Sequence, residues 1–93
     1  MTTNKKEDLP QWAKNIKFLR KYNGDTQEKL GESIGYTDKA ISAFENGRNK
    51  PNEETFKSIA KHYEVTLDML LNEELTKEVM SRWSKTIDDT IKD

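Results

Sequence analysis

Apolar residues fall in short stripes of two to six along this chain, separated by capping and stop residues. Trp12, Ile16 and Leu19 recur at the three-to-four spacing of one helix face, and Pro10 suits a first helical turn. The pattern predicts a helix over 10–22, stopped by Asn23-Gly24-Asp25. Thr26 is placed to cap a second helix, 27–34, whose Leu30 and Ile34 are expected to be buried, and Gly35 suits a left-handed stop. Thr37 caps again. Ile41 and Phe44 then face inward along a third helix, 38–46, that ends at Asn46-Gly47. Pro51 and Asn52 open a fourth helix, with Glu53 and Glu54 at its positive amino end and Phe56, Ile59, Ala60 and Tyr63 as its stripe. Val65-Thr66 makes a turn and cap before a short fifth helix, 67–71. Leu75, Val79, Met80, Trp83, Ile87 and Ile91 draw a last stripe through 73–93. Residues 1–9 are largely polar and read as a loose arm. β-branched residues never alternate over a strand length, so the fold class is all-α.

One spacing is informative. The second and third helices are separated only by Gly35-Tyr36-Thr37. So short a connection forces a steep crossing and close packing, and Gly31, one turn before the stop, removes the side chain that would keep the helices apart. That is a helix-turn-helix, spanning about 27–46.

Composition narrows the function. With 93 residues, 32% hydrophobic and 35% charged, the chain suits one small domain with a thin core. There are no cysteines, which excludes disulfides and thiolate metal sites. No apolar run reaches the roughly 18 residues of a membrane span, and the charged amino end is no signal peptide, so a cytoplasmic protein without membrane contact is expected. The net charge of −1 hides a polarity. Residues 1–52 carry ten Lys/Arg against seven Asp/Glu, a balance of +3; residues 53–93 carry six against ten, a balance of −4. Lys14, Lys17, Arg20 and Lys21 lie on the first helix with no acid among them. That run reads either as a solvated face or as part of an anion-binding surface. Catalytic constellations are missing: His62 stands alone, and Glu73-Glu74 and Asp88-Asp89 are neighbours that face apart on a helix. Neither a cofactor nor a metal is expected, and the chain does not read as an enzyme.

Arg20, "TQEKLGESIG" (26–35), Thr37, Ile41, "ENGRNKP" (45–51), Ala60 and "VTLDMLL" (65–71) together resemble the phage repressor and Cro-like family of helix-turn-helix transcriptional regulators, the XRE type. The resemblance runs from about Ile16 to Leu71. It implies a five-helix, lambda repressor-like DNA-binding domain over 10–72, here with an additional C-terminal helix. Two positions depart from the family pattern. Asp25 stands where an apolar residue is common, which leaves the turn more solvated or leaves Tyr22 to fill the gap. Gly31 stands where alanine is usual.

In a helix-turn-helix the second helix enters the major groove. With Ile41 and Phe44 turned inward, the outward face presents Asp38, Lys39 and Ala43, flanked by Ala40 and Ser42. Lys39 is suited to donate to guanine, Asp38 to accept from cytosine, and the alanines to touch a thymine methyl. The resemblance assigns Gln27 to a backbone phosphate or to bracing the reading helix, lets the Thr37 hydroxyl meet phosphate, and makes Asn46, Arg48 and Lys50 backbone contacts, which position the protein without reading sequence. Lys14, Lys17 and Lys21 remain open between such contacts and plain solvation. Arg20 and Glu45 match a structural ion pair of the family.

The expected partner is a double-stranded DNA operator, bound by a homodimer, because one small domain covers about one half-site. Leu67, Leu70, Leu71, Leu75, Val79, Met80, Trp83, Ile87 and Ile91 are candidates for the dimer or partner interface, with the competing expectation that the tail folds back onto its own domain. A repressor in a bacterial or phage-infected cell is the leading function. An antitoxin-type module, neutralising a toxin or answering an antirepressor through its acidic C-terminal extension, is the alternative. A helix-turn-helix that has lost DNA binding is the third.

Overall fold

A computed structural model describes residues 9–92, with side chains described as far as Ser84. The arm up to residue 8, and the side chains of Ile87 and Ile91, lie outside the described residues. Six helices follow in order: α1 (Gln11–Tyr22), α2 (Gln27–Ile34), α3 (Asp38–Glu45), α4 (Glu53–His62), α5 (Leu67–Asn72) and α6 (Lys77–Lys92).

The capping residues set the starts. Thr26, Thr37, Asn52 and Thr66 are extended, and each accepts a hydrogen bond from the amide three residues on, at Lys29, Ala40, Thr55 and Met69. Each thereby satisfies one amide that the helix itself leaves unpaired. Gly35 ends α2 at a φ of 84°, and its amide returns to the Gly31 carbonyl. Glu64 ends α4 in the same left-handed region, at 58°, without being glycine. A side chain in that conformation costs of order 1 kcal/mol or more and persists only where surroundings enforce it. Here Trp83 Nε1 donates to the Glu64 carbonyl at 2.7 Å, and the Val65 amide bonds the Ala60 carbonyl at 2.9 Å.

Gly31 explains the tight helix pair. A Cβ there would overlap the Tyr36 carbonyl oxygen and sit 3.1 Å from the Thr37 carbonyl carbon. Both are backbone atoms of the turn, so they have no rotamer to escape into.

The core gathers Ile16 and Leu19 of α1, Leu30 of α2, Ile41 and Phe44 of α3, Phe56, Ile59 and Ala60 of α4, and Met69 and Leu70 of α5. Trp12 meets Phe56 edge-on, with centroids 5.7 Å apart. Ile34, expected to be buried, is only half-buried at the end of α2, packed against the margin of this cluster.

A polar group at the centre of the structure has no counterpart in the sequence reading. Asn15 is 1% exposed, and its side chain is fully engaged. Nδ2 donates to the carbonyls of Leu70 at 2.9 Å and Glu73 at 2.6 Å, with Met69 at the long distance of 3.4 Å; Oδ1 accepts from the Leu75 amide at 3.2 Å and from Gln11 at 2.9 Å. One α1 side chain thus caps the end of α5 and turns the chain toward α6.

That turn decides the fate of the tail. Leu75 and Met80 are buried in the same core as α1 to α5, and Leu70 is wholly enclosed. These three therefore belong to the protomer's own interior, and the expectation that they face a partner is corrected: the domain core extends past residue 72 because five short helices leave the flank beside α4 and α5 uncovered. Val79 and Trp83 pack on the cluster while keeping part of their surface open.

The Asp25 departure also resolves differently from either expectation. Tyr22 does not fill a gap: it is 43% exposed and stacks on Phe18 with centroids 5.4 Å apart. The Asp25 carboxylate instead accepts from the Tyr63 hydroxyl at 2.9 Å and lies 3.4 Å from His62 Nε2. Burial, then the bond to Asp25, push the Tyr63 hydroxyl above the usual tyrosine range.

Candidate nucleic-acid interface

Everything on the exposed side of α3 is referred to one buried ion pair. Arg20 Nε donates to Glu45 Oε2 at 2.6 Å and Nη2 to Oε1 at 3.1 Å, a two-pronged contact that suits the planar guanidinium. Glu45 is buried and the Arg20 side chain is 11% exposed. The bond to Glu45 raises the Arg20 pKa, with burial opposing it. The third guanidinium nitrogen donates to the Asp25 carbonyl at 2.9 Å, and Gln27 Nε2 donates to Glu45 Oε1 at 3.1 Å. The carboxylate at the end of α3 therefore ties together the end of α1, the loop before α2 and the first residue of α2. Among the two roles considered for Gln27, bracing is the contact present; the half-exposed side chain still borders solvent.

With that anchor set, the remaining positions can be placed. Ile41 and Phe44 are buried beneath α3. Thr37, Asp38 and Lys39 are exposed at its amino end, Ala40, Ser42 and Ala43 are half-exposed along it, and Asn46 is exposed at its close. Asn46 Nδ2 meets the Ser42 hydroxyl at 3.3 Å. The amides of Arg48 and Asn49 both reach the Ala43 carbonyl, at 3.0 and 3.3 Å, which folds the following loop against the helix end. Arg48 and Lys50 are exposed on that loop. Tyr36 supports the turn from behind. Its ring meets Phe44 edge-on at 5.4 Å, and its hydroxyl bonds the buried Thr55 at 2.7 Å. The ten residues named for the interface thus lie on α3, on the amino end of α2 and on the loop after α3. The surface they make is small and polar along the helix and positive at its end.

The helix-turn-helix domain model matches residues 13–75. The chain belongs to the phage-repressor, XRE-type family of helix-turn-helix regulators. Among its relatives, it is 38% identical over 64 residues to the HTH-type transcriptional activator BcrR of Enterococcus faecalis, a match covering 69% of this chain and 31% of BcrR. It is 30% identical over 76 residues to the uncharacterized HTH-type transcriptional regulator YqaE of Bacillus subtilis, covering 82% of this chain and 66% of YqaE. The chain thus spans about a third of the first relative and just under two thirds of the second. Among solved structures, the P22 c2 repressor in complex with a synthetic operator superposes with a TM-score of 0.64 at 29% identity, covering 67% of this chain and 94% of that one. The hypothetical transcription factor NHTF from Neisseria superposes equally well at 20% identity, covering 89% and 92%, and shares the fold.

Two half-buried leucines, Leu67 and Leu71, mark a second surface over the buried Phe56. Phe56, Leu67 and Leu71, with Lys50, Pro51 and Glu53, line a cleft of about 280 Å³ between the start of α4 and α5. Among the described residues, no helix is long and apolar enough to cross a membrane, and no cluster of His, Asp and Glu is arranged to hold a metal ion.

Proposed function

We propose that this protein is a repressor that occupies a palindromic operator as a homodimer, with α3 in the major groove of each half-site. The observation that carries the reading is the fixed α3. Its outer face is Asp38, Lys39, Ala40 and Ala43, small or polar so that a groove floor can approach, and its end is locked by Glu45 to Arg20 and Gln27. A reading surface must hold its side chains within a fraction of an ångström to discriminate bases, and such second-rank support does that. Similarity to a repressor crystallised with an operator adds weight. Repression follows from occupying DNA that polymerase needs. Lys39 and Asp38 read base edges, while Gln27, Thr37, Asn46, Arg48 and Lys50 meet the backbone.

The dimer contact runs through Leu67 and Leu71, which stay half-exposed beside Phe56; Val79 and the open edge of Trp83 line a separate cleft with Met69 and are a second candidate contact. The antitoxin-type alternative needs an extension free to seize another protein. The packing of Leu75, Met80 and Trp83 onto the domain favours the plain regulator.

Footprinting on the DNA upstream of its own reading frame tests the assignment. Lys39→Ala is expected to lose about 1–3 kcal/mol at the operator through a lost guanine contact and to relax discrimination at that base pair. Protection equal to wild type by the equally stable variant would sink the role given to α3. Sedimentation at micromolar concentration is expected to give about twice the chain mass of 10.9 kDa; a single-chain mass there would rule out the homodimer.

A further inference from the structure

Beside the reading helix lies a positive surface that none of the contacts above uses. Lys14, Lys17 and Lys21 are all exposed on α1. With Leu9, Phe18, Glu45 and Asn46 they line a cleft of about 340 Å³ between α1 and the end of α3. Among the described residues, Glu45 is the only acid lining it, and that carboxylate is already claimed by Arg20 and Gln27. Among the described residues the three lysines take part in no ion pair, although the chain as a whole has one more acid than base. Among the described residues their positive charge is therefore uncompensated on one face, and it adjoins the α3 end from which Arg48 and Lys50 emerge. The two regions touch: a Cβ at Gly47 would sit 3.1 Å from Pro10 Cδ and 3.2 Å from Leu9 Cδ2, so the start of α1 rests on the loop after α3.

We propose that the Lys14, Lys17 and Lys21 ridge of α1 is a second DNA-backbone contact, which carries each protomer's footprint beyond the base pairs read by α3. The proposal rests on the DNA-binding reading and deepens it. Positions 14, 17 and 21 share one helix face and span about 10 Å of helix axis, a length of duplex axis over which one strand presents about three phosphates. The half-buried Phe18 ring, backed by Tyr22, gives the lysine stems an apolar bed along which they extend with their ammonium groups outward. Charge complementarity selects a polyanion. Contiguity with Asn46 selects the strand that already passes the end of the reading helix.

The test is the salt dependence of binding by full-length Lys14→Gln/Lys17→Gln/Lys21→Gln protein, measured on the operator and on an unrelated duplex of equal length. Each lost phosphate contact removes about 0.9 from the slope of log affinity against log salt. The slope is expected to fall by about 2 to 3. Affinity at 0.15 M salt is expected to fall about 10- to 100-fold on both duplexes, so that their ratio is unchanged. Hydroxyl-radical footprints should shorten by about three nucleotides on one strand of each half-site. An unchanged slope, or a loss confined to the operator, would overturn the ridge and leave only the contacts of α3, the start of α2 and the loop after α3. Failure of the wild-type protein to bind any duplex would instead overturn the DNA reading beneath it. Because all three side chains are exposed, thermal unfolding of the variant should match wild type, and a variant that melts earlier would count against a purely electrostatic role.

Discussion

Replacing Asn15 with leucine is expected to lower the free energy of unfolding by about 3 kcal/mol, although the substitution adds apolar surface to the interior. The side chain donates to the Leu70 and Glu73 carbonyls and accepts from the Leu75 amide. Leucine meets none of them. Each buried group left without a partner costs roughly 1–3 kcal/mol, and the gain from burying the leucine side chain offsets only part of the sum. For a domain of this size, with total stability of roughly 5–14 kcal/mol, that loss is a large fraction. The damage should be local first. Leu75 begins the segment that leads into α6, and Trp83 docks on the Glu64 carbonyl from that helix. Hydrogen exchange at the Leu75 amide should accelerate, and Trp83 fluorescence should shift toward that of a solvated indole, at denaturant concentrations where α1 to α4 still hold. Chemical denaturation with an unfolding free energy within about 0.5 kcal/mol of wild type, the size of an ordinary surface effect, would show that Asn15 is not a keystone.

The contrast between Asn15 and its neighbours shows how far the chain can be read before folding. Ile16 and Leu19 are legible because the helix period repeats within a dozen residues, and the four caps are legible because each acts on an amide three residues away. Asn15 acts on groups 55 to 60 residues distant. In "WAKNIKF" it looks like any polar residue beside a buried stripe. Glu64 is opaque for a related reason. Its left-handed backbone carries no glycine to announce it, and the tryptophan bonded to its carbonyl comes from α6. The tail illustrates a further limit. Its apolar stripe was plain, but a stripe says which face must be buried and not whose core receives it. Met80 and Leu75 went to the protomer's own core. On the candidate interface, α3 and the loop after it were legible down to single residues, since the turn spacing fixes which side faces out. The Asp25 tether to Tyr63 was not, because an acid at an apolar position gives no hint of a hydroxyl 38 residues away.

The Arg20–Glu45 pair yields the second large effect, and it separates stability from function. Glu45→Ala is expected to cost about 3 kcal/mol or more, because the Arg20 guanidinium would be left partly desolvated with no carboxylate to answer it. Arg20→Met/Glu45→Leu should regain most of that stability, since an apolar pair of similar volume escapes the desolvation cost of two ions. If stability were the whole role of the pair, the double variant would bind DNA as wild type does. Gln27 would then have lost its acceptor, and the end of α3 would no longer be hydrogen-bonded to α1 and α2. Operator affinity in the double variant is therefore expected to stay about tenfold or more below wild type, a loss of roughly 1.4 kcal/mol in binding. Urea denaturation and operator titration of the same two proteins decide it. A Glu45→Ala cost under about 1 kcal/mol would place the pair with ordinary surface salt bridges. A stable double variant with wild-type affinity would show that the orientation of α3 is held by packing of Ile41 and Phe44 alone.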